Sequence, residues 1–175
     1  EGRSYWEATI QSALAPADAG VFMETTVQLR REQHVNKRRG VNLVELGEYT
    51  ANRSRSVALY AWEDRVFLFD INDRHVSGSD VEMDTTDGFH TYRVELKDDR
   101  YWIFVDGIQK SAGEVRSAAT GNEALGVLPK TARPLPQLWG LFGDTTTFSG
   151  SSVVRTNVVF GSLGAWGGPR ADHQP

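Results

Sequence analysis

The sequence predicts an all-β protein of two packed antiparallel sheets, and three observations lead there. Apolar residues alternate with period two along nearly the whole chain, in short runs rich in Val, Phe, Tyr, Trp and Thr. Gly, Asn, Asp and Ser separate the runs, with acidic pairs or Asp-Gly where hairpins need turns. About ten such runs are more than one open sheet ordinarily carries, so a second layer must cover their apolar faces.

Tyr5–Gln11 and Val21–Arg30 open the series of predicted strands. Val41–Tyr49, Ser56–Trp62 and Val66–Ile71 follow, the last two joined at Glu63-Asp64. Val76–Met83 has a weaker alternation and is also predicted as a strand. Phe89–Lys97 and Tyr101–Val105 meet at Asp98-Asp99, and Asp106-Gly107 supplies the next bend. In Phe89–Lys97, Tyr92, Val94 and Leu96 share one face while Thr91, Arg93 and Glu95 share the other, so one side is core and the other polar. Ser111–Pro136 breaks the rhythm, which predicts a short helix near Glu114–Ala119 or a loop crossing an open face. Leu138–Gly143 and Ser152–Phe160 complete the strands, and from Gly161 the Gly-rich sequence reads as tail or linker. One domain is expected over residues 1–163, with a flexible tail over 164–175.

With 175 residues, 39% hydrophobic and 24% charged, the chain can bury a single sizeable core and has neither a disordered nor a fibrous composition. A net charge of −4 provides no general field for a phosphate backbone, so nucleic acid is not an expected partner. Cysteine is absent, which removes disulfides, thiolate zinc sites and cysteine nucleophiles. No apolar run reaches the roughly 20 residues of a membrane-spanning helix. His34, His75, His90 and His173 lack metal-binding spacing, and no nucleophile elbow, phosphate loop or dinucleotide turn occurs.

The segment Gly88-Phe89-His90-Thr91-Tyr92-Arg93-Val94-Glu95-Leu96, then Asp98-Asp99, then Tyr101-Trp102-Ile103-Phe104-Val105-Asp106-Gly107, carries a family likeness. It resembles the hairpin of the concanavalin A-like lectin/glucanase superfamily, which includes laminin G-like modules and jelly-roll glucanases. Leu141-Phe142-Gly143-Asp144 with Val153–Phe160 is similar to the closing strands of bacterial members. The resemblance implies an antiparallel jelly-roll β-sandwich with a concave polar face. It leaves the function open among lectins, hydrolases, lyases and adhesion modules.

Carboxylates that could cleave a glycan are Glu82 and Asp84, alternating in Glu82-Met83-Asp84, and Glu24 and Glu45 on central strands. Glu24 falls opposite Val21, Met23 and Val27, so with Arg93 or Arg155 it could instead hold a sugar hydroxyl or a uronate. Tyr60 and Trp62 share a strand face and offer a stacking platform. If that face is the concave one, Trp62, Arg93 and Glu95 line one groove. The ligand-binding set is therefore Glu24, Tyr60, Trp62, Arg93 and Glu95. The basic run Arg30–Arg39 reads as a solvated hairpin tip, with a sulfated or uronic glycan as the functional alternative. Calcium is the one cofactor left open, with Asp144 or Asp18 as donor. The expected activity is non-catalytic binding of an oligo- or polysaccharide in a secreted or extracellular setting. Polysaccharide cleavage and protein adhesion are the alternatives.

Overall fold

Alternation sends every second side chain to the same side of a strand, and the strands that result stack into two layers around one apolar interior. The computed structural model describes residues 4–11, 20–33, 40–49, 53–70, 72, 74–115, 118–119, 137–144 and 153–166, with side chains described for 20–29, 40–47, 56–70, 72 and 74–115. In chain order the strands are β1 Ser4–Gln11, β2 Gly20–Gln33, β3 Val41–Tyr49, β4 Arg53–Trp62, β5 Arg65–Asp70, β6 Val81–Glu82, β7 His90–Lys97, β8 Arg100–Val105, β9 Ile108–Glu114, β10 Ala118–Ala119, β11 Gln137–Asp144 and β12 Val153–Trp166. The larger sheet has the order β1-β11-β3-β4-β5-β6, with β10 beside β4, and the smaller has the order β12-β2-β7-β8-β9. Every described pairing of these strands is antiparallel. The fold is thus the two-sheet jelly-roll sandwich that the alternation and the hairpin motif imply.

The core lies between the sheets. The smaller sheet contributes Val21, Met23, Val27, Tyr92, Val94, Leu96, Tyr101, Ile103 and Val105 to it, all nearly inaccessible. The larger contributes Val41, Leu43, Val44, Leu46, Val57, Leu59, Ala61, Val66 and Leu68. Thr25 is the polar exception on β2, and its hydroxyl donates across the sandwich to the Leu43 carbonyl at 2.9 Å. That carbonyl is available because β3 bulges: Asn42 pairs with Tyr60 and Val44 with Leu59, leaving Leu43 as an extra residue.

The hairpin turns fall where the acidic pairs predict them. Asp106 and Gly107, with φ of 52° and 77°, form the two-residue link between Val105 and Ile108. Two left-handed residues in succession match the strand twist, and Asp-Gly is a sequence that tolerates them. Asp98, with φ of 53°, turns β7 into β8.

Three expectations need correction. Val76–Met83 is not a strand: Gly78 takes a left-handed turn, and only Val81 and Glu82 pair with β5. Ser79 stands in for the missing strand, its Oγ accepting from Leu68 N at 2.9 Å and donating to Val76 O at 2.7 Å. The helix expected near Glu114–Ala119 is absent among the described residues, where β9 ends at Glu114 and β10 occupies Ala118–Ala119. β9 escapes period-two detection because its side chains are half-buried or exposed in succession and β8 bulges against it between Ile103 and Phe104. Finally, β12 continues through Trp166, so the stretch read as tail from Gly161 begins as strand, paired with β2 from Thr25 to Gly20. The remainder of the Ser111–Pro136 segment beyond Ala119, the tip of the basic run at residues 34–39 and His173 lie outside the described residues.

One polar staple explains the hairpin motif. His90 Nδ1 lies 2.8 Å from Asp106 Oδ2 and His90 Nε2 lies 2.6 Å from Asp87 Oδ1. Asp106 Oδ1 also accepts from Thr91 N at 2.8 Å, fixing the start of β7 to the end of β8. A carboxylate at each ring nitrogen favours the protonated ring, which can donate at both. Burial lowers the His90 pKa, but its hydrogen bonds to Asp106 and Asp87 and their charges outweigh it, and the net shift is upward. For Asp106, burial pushes upward and the His90 and Thr91 hydrogen bonds more than reverse it, so its pKa is lowered.

The linkage follows. Protonated His90 stabilises the fold fully below its unfolded pKa of about 6.5, and this contribution is lost as pH rises through the raised folded value. Ionised Asp106 contributes above about pH 3.9, and its contribution is lost as pH falls through the lowered folded value. Asp87 and Asp106 are about half exposed, so solvent screening holds the effect to about 1 kcal/mol. Thermal unfolding should therefore show a Tm that falls from mildly acidic to alkaline pH in the wild type and a flatter profile in His90→Gln. Identical profiles for the two proteins would refute the staple.

Candidate functional site

Each sheet also has an outer face, and the sequence-predicted residues divide between the two. On the smaller sheet β2 sets Glu24 opposite Arg93, and β8 sets Phe104 opposite Arg93 and Trp102 opposite Glu95. The Arg93 guanidinium lies 4.2 Å from the Phe104 ring centroid, and its Nε is 3.0 Å from Glu95 Oε1. That approach is an ion contact whose angle falls outside hydrogen bonding. Glu95 is fully buried, and Trp102 and Phe104 are nearly so, so this polar stripe is closed around Glu95 and is not an open trough.

The larger sheet carries a different constellation. Tyr60 and Trp62 on β4 pair across a two-residue turn with Phe67 and Arg65 on β5, and Ala58 pairs with Phe69. Trp62 and Phe67 meet edge to face at 4.8 Å, Tyr60 and Phe69 at 5.5 Å, and His75 abuts Phe67 and Phe69 at 5.8 and 5.9 Å. Tyr60 and Phe67 are the buried floor of this cluster, while Trp62 and Phe69 are half-buried and His75 is exposed. Arg65 lies 5.5 Å over Trp62, and His75 is 3.0 Å from Asp80.

Beside the aromatic cluster, Asn42 sits opposite Tyr60 and Glu45 sits opposite Ala58, both on β3. The Leu43 bulge makes this possible. A regular strand would send residues three apart to opposite faces, whereas the extra residue brings Asn42 and Glu45 to the same one. Asn42 Nδ2 donates to Glu45 Oε2 at 2.9 Å. Asn42 is only 1% exposed, and its Oδ1 accepts no hydrogen bond. A buried acceptor left unsatisfied costs about 1–3 kcal/mol, so this is a conspicuous feature beneath this face.

The five-residue ligand set is therefore split. Tyr60 and Trp62 belong to the larger sheet, and Glu24, Arg93 and Glu95 belong to the smaller, on the far side of the sandwich. A single groove of Trp62, Arg93 and Glu95 does not exist, because β4 and β7 belong to different sheets. The four carboxylates are dispersed as well. Glu24 is on the smaller sheet, while Glu45 and Glu82 are three strands apart on the larger and offset along them, a separation of about 20 Å. Asp84 lies in the exposed loop after β6 and caps its own turn, accepting from Thr86 Oγ1 at 2.7 Å and Thr86 N at 2.8 Å. Those two bonds lower its pKa. Asp84 also borders an open cleft of about 420 Å³ with Glu63, Asp64, Met83 and Thr86.

Asp144 ends β11, opposite Ser4, and its side chain is outside the described set, as is the whole of Asp18. Among the described residues no three His, Asp or Glu side chains converge as a metal site, and no helix is long and apolar enough to cross a membrane. Sequence reasoning misses Asn42, Phe67 and Phe69. The two phenylalanines could have been found by counting register outward from Glu63-Asp64, whereas Asn42 depends on a bulge that leaves no trace in the alternation.

No protein-family model matches the sequence, and no curated protein matches it. Solved structures do. Alginate lyase AlgAT5 of polysaccharide lyase family 7 superposes with a TM-score of 0.52 at 8% identity, over 93% of this chain and 62% of the lyase chain. A tetrameric galectin from the sponge Cinachyrella sp. follows at 0.44 and 14% identity, covering 91% of this chain and 99% of the galectin. A β-glucanase from Bacillus licheniformis gives 0.37 at 11% identity, over 72% of this chain and 64% of the enzyme. The lyase match shows a shared fold alone, and this chain spans less than two thirds of the lyase's length. The fold is the concanavalin A-like jelly roll, shared with the lyase.

Proposed function

We propose that this chain is a carbohydrate-binding domain that takes its ligand on the outer face of the larger sheet. The observation that carries the proposal is the juxtaposition of the Asn42–Glu45 pair with the cluster of Tyr60, Trp62, Phe67 and Phe69. Sugars present an apolar ring face and a rim of directional hydroxyls, and a site for them combines aromatic surface with a few fixed polar atoms. Trp62 and Phe69 supply the partly accessible aromatic edge, and the Asn42–Glu45 pair places polar groups beside it. Binding is favoured over cleavage because Glu24 and Glu45 lie on different sheets and Asp84 is engaged in capping its own turn through Thr86, so no two of the candidate carboxylates face each other across a groove as glycoside hydrolysis requires. A glycan ligand accords with a secreted or extracellular setting.

Titration calorimetry against β-1,4-linked tetrasaccharides tests the proposal. The intact protein should bind at least one of them with micromolar to millimolar affinity. Trp62→Ala, with folding verified by circular dichroism, should weaken that binding about tenfold, the loss of one aromatic contact. Folded protein that binds none of them, or a Trp62→Ala variant of unchanged affinity, would overturn the assignment.

A further inference from the structure

The aromatic cluster of this face ends, at its exposed margin, in a titratable group. His75 pairs with Phe69 in an antiparallel bridge, and Val76 N donates to Leu68 O and Asp70 N to Arg74 O, both at 2.9 Å, so residues 74–76 run beside β5. The turn before them is tied as well, with Asp70 Oδ1 accepting from Asn72 N at 2.8 Å and Arg74 N at 3.0 Å. Backbone hydrogen bonds thus seat His75 at the edge of the cluster. Its ring abuts Phe67 and Phe69, its Nε2 lies 3.0 Å from Asp80 Oδ2 in an ion contact, and its side chain is 45% exposed. The two nitrogens of an imidazole point apart, so Nδ1 points away from Asp80, and among the described residues it has no hydrogen-bond partner. We infer that His75 is the residue through which this face hydrogen-bonds a sugar hydroxyl, and that it admits an anionic sugar only when its ring is protonated. The inference rests on the carbohydrate-binding proposal and adds to it a contact residue and a rule of selection.

The rule follows from what each group can donate and accept. Beside the Asp80 carboxylate the neutral ring keeps its proton on Nε2 and offers an Nδ1 lone pair, whereas the imidazolium offers an Nδ1 proton. A hydroxyl both donates and accepts, so it is served by either state. A sugar carboxylate only accepts, so it finds a donor, and a matching charge, only at the imidazolium. The surrounding charges act in the same direction. Asp80 is also approached by Arg65 at 3.9 Å, and Arg65 in turn is tied to Asp64 at 3.2 Å and pairs with Glu82 across β5 and β6. Arg74, next to His75 in the chain, is exposed. Asp64, Asp70, Asp80 and Glu82 against Arg65 and Arg74 leave this margin negative while His75 is neutral, and protonation of the ring lessens the repulsion.

The test uses two tetrasaccharides, cellotetraose and its counterpart with a carboxylate at C6. Calorimetric titrations at constant salt are run at about pH 5 and about pH 8, between which an ordinary imidazole changes charge and carboxylates stay largely ionised, with folding verified by circular dichroism at each pH. In the wild type, cellotetraose should bind equally within about twofold at the two pH values, and the uronate-to-cellotetraose affinity ratio should be about threefold higher at the acidic one, the size of an exposed ion pair. His75→Gln, which keeps a donor and an acceptor but carries no charge, should bind cellotetraose as the wild type does and give the same ratio at both pH values. His75→Phe, which keeps the ring but has no polar atom, should weaken cellotetraose about threefold at both, the loss of one neutral hydrogen bond. A ratio that still rises in acid in His75→Gln would assign the effect to overall charge and overturn the inference. A wild-type ratio indifferent to pH, or unchanged cellotetraose binding in His75→Phe, would overturn it too, with carbohydrate binding left standing. Failure of both sugars to bind at either pH would bring down the broader proposal and this inference with it.

Discussion

Gly40→Ala is expected to destabilise the protein by about 3 kcal/mol, the upper range for forcing volume into a packed site. Gly40 precedes β3, where a Cβ would lie 1.8 Å from the Ala61 carbonyl oxygen, 2.7 Å from its carbon and 2.8 Å from Trp62 Cδ1. The first two atoms are backbone, and that backbone cannot retreat. Ala61 is fully buried and held on both sides, pairing with Val41 on β3 and Val66 on β5. Relief must come from separation of β3 and β4 or from movement of the Trp62 ring, and either would disturb the proposed site. Urea denaturation provides the measure: a midpoint lowered by about 1–2 M at unchanged slope is expected. A midpoint within about 0.3 M of the wild type would mean that the two strands do not meet as described.

Arg93→Ala should be nearly as damaging, at about 3 kcal/mol, although its side chain is on an outer face. Truncation removes the ion contact to Glu95, whose side chain has no solvent exposure, and lifts the guanidinium from Phe104. A buried carboxylate deprived of its counter-charge is costly, whereas replacing both members is often nearly neutral. The diagnostic is therefore the pair of variants. Arg93→Met combined with Glu95→Gln should recover most of the stability lost in Arg93→Ala. A single variant costing less than about 1 kcal/mol would show that the remaining contacts of Glu95 suffice to hold it.

Both predictions concern features that sequence patterning renders unevenly. Strand identity was legible because an antiparallel sheet with one buried face forces alternation, and β3 begins and ends where the pattern places it, from Val41 to Tyr49. Hairpins were legible because Glu63-Asp64, Asp98-Asp99 and Asp106-Gly107 combine turn chemistry with apolar runs on either side. Which strands join which sheet was not legible, since alternation gives each strand two faces without saying which sheet it enters. That gap is why Trp62 and Arg93, both properly placed away from the core, were assigned to one groove when they lie on opposite sides of the molecule. The Asn42–Glu45 pair was hidden for another reason: a bulge changes parity, and parity was the only ruler available. Glu82 and Asp84 were ambiguous because alternating carboxylates look the same at a strand end followed by a turn, where the structure places them, as in a long catalytic strand.

The supernumerary residue at position 43 also has a mechanical meaning. It brings Asn42 and Glu45 to the same face of one layer while lending its carbonyl to Thr25 in the other. Outer surface and inter-layer fastening thus share a single kink. Movement of Asn42 outward must pull against the seam of the sandwich, so an insertion or deletion at that spot would endanger folding.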